Sequence, residues 1–303
     1  MEQRSLSPQD TAMQIKSSAV SSTKIKQVLY SFVNHSFVPA TEASLGVSDL
    51  ALQRGYGIFD FCKVLNGRPI FLDDHLDRFY NSASYMRLAI PQDREGLKAI
   101  LSELLQRNGA PDAGIKILLT GGYAEDGYSM TAPNLVITQY ELKMPAEAAF
   151  QKGLRLISHV HQRQLPEIKT IDYLVAVWMQ PVIKEQGVDD ILYHRHGLLS
   201  ECPRANFFIV TQDDTVVTAG RNVLKGVIRK KTLELARAIY PVEERDVTLE
   251  EALQAKEAFI TSTTKHVMPV LQLDGLVIGN GQPGKITTAL SRALNTYVKE
   301  QSL

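Results

Sequence analysis

Between Val28 and Tyr140 the chain switches repeatedly between strand-like and helix-like patterning, and that alternation limits the fold more than any other feature. Strand-like runs at Val28 to Val33 and Ile58 to Val64 are followed by Asn66-Gly67, a dipeptide suited to the positive φ angles of a tight hairpin, and by a short return at Pro69 to Phe71. Helical spacing then takes over. Leu76, Phe79, Ala83 and Met86 share one helix face, as do Leu97, Ile100, Leu101 and Leu104, with Asp93 placed to cap the second run. Ile115 to Leu119 and Leu135 to Tyr140 read as strands again, and they bracket the polar loop Gly121 to Gly127, long enough to reach over a site.

The second half repeats the mixture. A strand is expected near Leu154 to His159, then a helix carrying Leu174, Val177, Trp178 and Val182 that Pro181 should kink. Hairpins turn at His196-Gly197 and Gln212 to Asp214, a helix is expected over 227 to 239, and Ile286, Leu290, Ala293, Leu294 and Tyr297 mark a last amphipathic helix. Residues 1–25, rich in Ser, Thr, Gln and Lys, read as a flexible tail. The fold class is therefore α/β (α+β) in two domains: a smaller one over 26–143, a linker over 144–152 and a larger one over 153–303.

Composition removes several classes of function. With 33 basic and 33 acidic residues the formal charge is zero, so no overall field favours nucleic acid. No long apolar run suggests a membrane span, and Cys62 and Cys202 sit in segments that read as buried, so a cytoplasmic location is the expectation. The paired histidines His159/His161 and His194/His196 lack a third ligand placed by the sequence, so no metal is expected.

What remains is a lysine and an acid with matching chemistry. Lys169 lies in Leu165-Pro166-Glu167-Ile168-Lys169-Thr170-Ile171-Asp172-Tyr173, and Glu201 in Ser200-Glu201-Cys202-Pro203-Arg204-Ala205-Asn206-Phe207-Phe208. A desolvated amine can condense with an aldehyde, and an acid can keep a pyridine nitrogen protonated. Three further segments stand in order with these: His75-Leu76-Asp77-Arg78, Leu224-Lys225-Gly226-Val227-Ile228-Arg229, and Thr261-Ser262-Thr263-Thr264 with Met268-Pro269-Val270. In register, they resemble the fold-type IV, or class IV, aminotransferases that depend on pyridoxal 5'-phosphate, over about residues 28 to 300.

The resemblance implies a cofactor in the cleft between the domains. Lys169 would be its covalent lysine and the proton carrier, and Glu201 the partner of its ring nitrogen. Arg78, the amides of Val227 and Ile228 at a helix start, and Thr263 would hold the phosphate, with Tyr173 near the ring hydroxyl. It also implies a homodimer running a ping-pong transfer between an amino acid and a 2-oxo acid.

Departures from the family point to the substrate. The loop Gly121 to Tyr128 lacks the arginine and histidine of well-known D-amino acid transaminases, and Phe59-Asp60-Phe61 replaces the aromatic-Glu pair of branched-chain enzymes. Arg54 and Arg204 instead resemble the carboxylate clamp of a noncanonical D-amino acid transaminase subgroup, which makes D-alanine or D-glutamate the expected donor type. Against this, Arg54 could pair with Asp49 or Asp60, and Arg204 could be a structural loop residue. A branched-chain L-amino acid aminotransferase, an aminodeoxychorismate lyase-like enzyme and a non-catalytic cofactor binder are the competing readings.

Overall fold

The computed structural model describes residues 29–303; the tail expected over 1–25, and Val28, lie outside them. Among the described residues, β1 (Tyr30–Val33), β2 (Ser36–Pro39), β3 (Gly57–Leu65), β4 (Arg68–Pro69), β5 (Ala113–Thr120) and β6 (Leu135–Tyr140) form an antiparallel sheet in the order β2-β1-β6-β5-β3-β4. The helices α1 (Leu50–Arg54), α2 (Leu72–Tyr85) and α3 (Arg94–Asn108) accompany it. Asn66 and Gly67 form the β3–β4 turn with φ of 51° and 76°, as the dipeptide predicts. Asp93 caps α3 by accepting from the Gly96 amide at 2.8 Å.

The two faces of β3 divide structure from site. Ile58, Cys62 and Val64 enter a core with Leu76, Phe79 and Ala83 of α2, Leu97, Leu101 and Leu104 of α3, and Ile115 and Leu119 of β5. Burying each of the larger side chains contributes about 1.5–3 kcal/mol. The alternate positions, Phe59 and Phe61, stay half-buried on the cleft side.

After α4 (Glu147–Lys152), which occupies much of the expected linker, come β7 (Leu154–Val160), α5 (Leu174–Trp178) and α6 (Gln180–Gln186). The single kinked helix expected around Pro181 is in fact two helices that meet at Met179. Pro181 sits in the first turn of α6, where its missing N–H costs nothing. The second sheet comprises β7, β8 (Asp190–Arg195), β9 (Leu198–Leu199), β10 (Glu201–Cys202), β11 (Ala205–Val210), β12 (Val216–Thr218), β13 (Val242–Glu244), β14 (Glu257–Ser262), β15 (His266–Leu273) and β16 (Leu276–Val277). Its main path is β13-β12-β11-β14-β15-β7-β8-β9, with β10 on β11 and β16 on β15.

The helices α7 (Val227–Arg237) and α9 (Lys285–Gln301) cover one face of that sheet, and α8 (Leu249–Leu253) lies between β13 and β14 in sequence. Their apolar stripes pack on Phe208 and Phe259, whose rings stack at 4.8 Å, and the same core takes in Ile70 and Phe71 from the first half. The halves are thus packed together rather than strung apart. Asp74 of α2 adds an ion pair to Lys231 of α7 at 2.9 Å and a second to Lys230.

One junction places Lys169. Strand β4 pairs only with Val64 and Leu65, so the earlier part of β3 presents an open edge. The lysine segment fills it: the Phe59 amide donates to the Lys169 carbonyl at 3.0 Å, and the Ile171 amide donates to the Gly57 carbonyl at 3.1 Å. A Cβ at residue 57 would lie 2.9 Å from the Leu119 carbonyl oxygen of β5 and 3.2 Å from Ile171 Cδ1 of the lysine segment, so Gly57 leaves room for both neighbours.

Candidate active site

A cavity of about 550 Å³ opens between the two sheets, lined from the first half by Phe59, Phe61, Arg78 and Lys116, and from the second by Lys169, Tyr173, Glu201, Arg204 and the start of α7. Its volume lies in the usual range for a small-molecule site. Lys169 enters from the segment pinned to β3, and its Nζ lies 4.5 Å from the Phe59 ring centroid. Burial pushes the amine down to about 7, Arg78 and Arg163 push the same way, and Asp60 and Glu201 oppose them. A lysine in this state is a competent nucleophile and base near neutral pH.

Glu201, on β10, is buried. Its Oε1 accepts from Arg163 Nη1 at 2.9 Å, and its Oε2 from the Leu224 amide at 3.0 Å and Asn206 Nδ2 at 3.3 Å. Burial raises its carboxyl above the usual range, while the Arg163 charge and the donated bonds pull it back. Arg163 is itself fixed by the carbonyls of Pro166 at 2.9 Å and Ile168 at 2.7 Å. One guanidinium therefore ties the loop that delivers Lys169 to the acid across from it.

Arg78 is held from behind. Its Nε and Nη2 both donate to Asp60 at 2.8 Å, and His75 Nδ1 lies 2.7 Å from the same carboxylate. Asp60 is buried, and burial alone would raise its carboxyl; the charges and hydrogen bonds of Arg78 and His75 outweigh that and hold it well below the usual range. Burial lowers the His75 pKa, with Asp60 opposing, so a neutral ring carrying its proton on Nδ1 fits the contact.

The start of α7 offers an anion site. Gly226 caps it without a side-chain bond and, with Val227 and Ile228, lines the cavity; a Cβ there would meet Asn206 Oδ1 at 2.2 Å. The amides of Val227 and Ile228 are among the first-turn donors that a helix cannot satisfy internally. Thr261 Oγ1, on β14, is buried and has no partner among the described residues, and Thr263 and Thr264 follow it along the cavity wall. These donors, together with Arg78, fit a phosphate; Lys169 and Glu201 fit an aldehyde-bearing pyridine between them.

The sequence-predicted residues are not all brought together. Lys169, Glu201, Arg78, Val227, Ile228, Thr263, Tyr173 and Arg204 line one cavity, whereas Arg54 lies outside it. Arg54 is exposed on α1, borders a second hollow with Arg87 and Met130, and donates from Nη1 to the Gln53 carbonyl at 2.8 Å. Its suggested acid partners are engaged elsewhere. Asp49 caps α1 at the Ala51 amide and accepts from Thr120 and Asn134 at 2.7 Å each, and Asp60 belongs to Arg78. Sequence reasoning misses Arg163 and Lys116, although a lysine inside the apolar run Ile115 to Leu119 is a signal in itself.

The chain is similar to known proteins over most of its length. The profile of the family described as Amino-transferase class IV matches residues 57–273. A D-alanine aminotransferase of Bacillus licheniformis is 29% identical over 89% of this chain and 97% of that protein. The chloroplastic D-amino-acid transaminase of Arabidopsis thaliana is 30% identical over 81% of this chain and 69% of its own length. Among solved structures, a branched-chain amino acid aminotransferase from T.th., bound to pyridoxamine 5'-phosphate, superposes with a TM-score of 0.83 at 25% identity, covering 90% of this chain and 95% of that one.

Proposed function

The chain belongs to the class IV aminotransferases, and from that premise we propose that it is a pyridoxal 5'-phosphate-dependent transaminase moving an amino group between a D-amino acid and a 2-oxo acid. The observation that carries the chemistry is the lowered amine of Lys169 facing the buried carboxylate of Glu201 across one cavity. The D-amino acid assignment is supported by the relatives named above, with the likeness to the Bacillus licheniformis protein running almost the full length of both chains. When bound, the cofactor supplies an electron sink for the charge left at a substrate Cα.

The chain's own residues do the rest. The amine of Lys169 takes the Cα proton and returns it, a role that its lowered pKa suits near neutral pH. Glu201, fixed by Arg163, would accept from the ring nitrogen and so favour its protonated form. Arg78, the first amides of α7 and Thr263 would hold the cofactor's phosphate and so fix its position in the cavity. Arg204, at the turn between β10 and β11, supplies a cation for a substrate carboxylate.

The proposal extends to a homodimer. Arg54 lies outside its own chain's cavity, which suits a residue serving the site of a second copy. On α5, Leu174, Val177 and Trp178 are exposed by 75%, 67% and 67%, an apolar surface that a partner subunit would cover.

The visible absorption of the cofactor-loaded protein, mixed without acceptor with D-alanine, D-glutamate or L-leucine, tests the reading. Loss of the cofactor's visible band with the D-amino acids alone is expected. Loss with L-leucine alone would move the chain to the branched-chain class that the superposed T.th. structure represents.

A pH dependence follows from Lys169. Only its neutral amine has a lone pair for an aldehyde, so uptake of pyridoxal 5'-phosphate by the apoprotein should speed up as pH rises and level off above about 7. Stopped-flow absorbance reads that rate. A profile still climbing steeply at a pH of about 9 would mean that the lysine is not desolvated in the way described.

A further inference from the structure

The wall that Thr261, Ser262, Thr263 and Thr264 contribute to the cavity is the end of the β14–β15 hairpin. Thr263, Thr264 and Lys265 form the turn, closed where Ser262 pairs with His266 and where the Lys265 amide donates to Ser262 Oγ at 3.1 Å. His266, the first residue of β15, has a φ of 54°. A hairpin turn of this length commonly ends on a residue in the left-handed region. Glycine is the usual choice there, because a Cβ is crowded by the following carbonyl oxygen. This chain places a histidine instead.

The ring makes a contact that glycine could not. His266 is 8% exposed, and its Nδ1 lies 2.5 Å from Oδ1 of Asn295 on α9. A carbonyl oxygen only accepts, so Nδ1 carries the proton and donates. Among the described residues Nε2 has no partner, so the ring is anchored through Asn295. Val267, the next residue, packs in one core with Leu294 and Val298 of the same helix. The beginning of α9 is fixed to the same hairpin: Glu257, at the start of β14, accepts from the amides of Ile286 and Thr287 at 3.0 and 2.7 Å. The helix rise from Ile286 to Asn295, about 14 Å, is close to the run of β14 from Glu257 to Ser262, about 17 Å. Helix α9 therefore lies along the hairpin as a splint, bound to the start of β14 at one point and to the base of the turn at another.

Resting on the cofactor reading above, we infer that His266 and Asn295 are positioning residues for the phosphate. Their bond holds the Thr263–Thr264 turn against the cavity, so that it meets a phosphate together with Arg78 and the start of α7. Neither residue lines the cavity itself. The hairpin ladder ends at Ser262 and His266, so the turn beyond it depends on what steadies those two positions. An unfavourable backbone angle persists where the surrounding structure fixes it, and here the fixing contact comes from a helix remote from the reacting atoms.

Two variants remove the bond from either side. His266→Gly keeps the left-handed angle without a steric penalty, and Asn295→Ala changes an exposed position, so both should fold. Each apoprotein is titrated with pyridoxamine 5'-phosphate and with pyridoxamine, which differ only in the phosphate and form no covalent bond to Lys169. Either variant should weaken pyridoxamine 5'-phosphate relative to pyridoxamine by about three- to tenfold, the effect of one hydrogen bond. The double variant should be no weaker than either single one, and Asn295→Asp, which keeps an oxygen acceptor, should retain most of the wild-type ratio. An unchanged ratio in both single variants, equal losses for the two ligands, or losses that add in the double variant would overturn the inference and leave the cofactor reading standing. A wild-type protein that binds neither ligand would sink that reading, and the inference with it.

Discussion

Replacing Lys169 with alanine is expected to reduce transamination by a factor on the order of 10⁴, as removal of a proton-transfer group at the reacting centre does. The fold should survive. Lys169 contributes a backbone bond to the edge of β3 through its carbonyl, which alanine retains, and the contact of its amine there is with the Phe59 ring. Removing an amine that burial has pushed down to about 7 also removes a desolvation cost, so the variant should be no less stable than wild type near pH 7. Single-turnover absorbance with a D-amino acid measures the loss, and thermal unfolding checks the fold. Retention of more than about a tenth of wild-type activity would exclude Lys169 as the proton carrier.

Asp60→Ala should be the most damaging change to stability away from the apolar cores. It would leave Arg78, only 11% exposed, without its bidentate partner, and His75 without its acceptor. Breaking a buried pair from one side costs about 3–5 kcal/mol, because the remaining charge stays desolvated. The pH dependence has a definite sign. Asp60 has its folded pKa depressed, so its stabilisation is fully present above the unfolded value of about 3.9 and is lost as pH falls through the folded value. Urea unfolding at a pH of about 7 and again at about 3 to 4 tests both points. A variant within about 1 kcal/mol of wild type at neutral pH would show that Arg78 finds another counter-charge. Cofactor affinity should fall as well, since Asp60 is what aims the guanidinium.

Residues whose role is set locally can be read from the sequence. The strand at β3, the helices α2, α3 and α9, and the Asn66-Gly67 turn each bury one face or need a particular φ, and both requirements leave a periodic or compositional trace. Lys169 and Glu201 stand in short segments with a recognisable order. Arg163 does not, because its role depends on a loop folding back so that one side chain reaches Pro166, Ile168 and Glu201 together. Lys116 escapes a sequence reading for a related reason: the register with Phe61 decides which wall it faces. Resemblance pairs Arg54 with Arg204, yet one chain keeps them in separate hollows. Periodicity runs through Met179 and suggests a kink at Pro181, and only the backbone shows two helices there.

The cavity walls come from both halves of the chain: Arg78 from a helix of the first, the opening turn of α7 from the second, and Lys169 from a segment of the second stitched onto a strand of the first. Whatever occupies the cavity is therefore also a rivet. A small molecule at about a hundred times its dissociation constant adds about 2.7 kcal/mol to the folded state if the unfolded chain does not bind it. Cells degrade proteins through their opened forms, and a shift of that size changes abundance several-fold. Cofactor supply is thus expected to set how many copies of this protein persist, as well as how many of them are active.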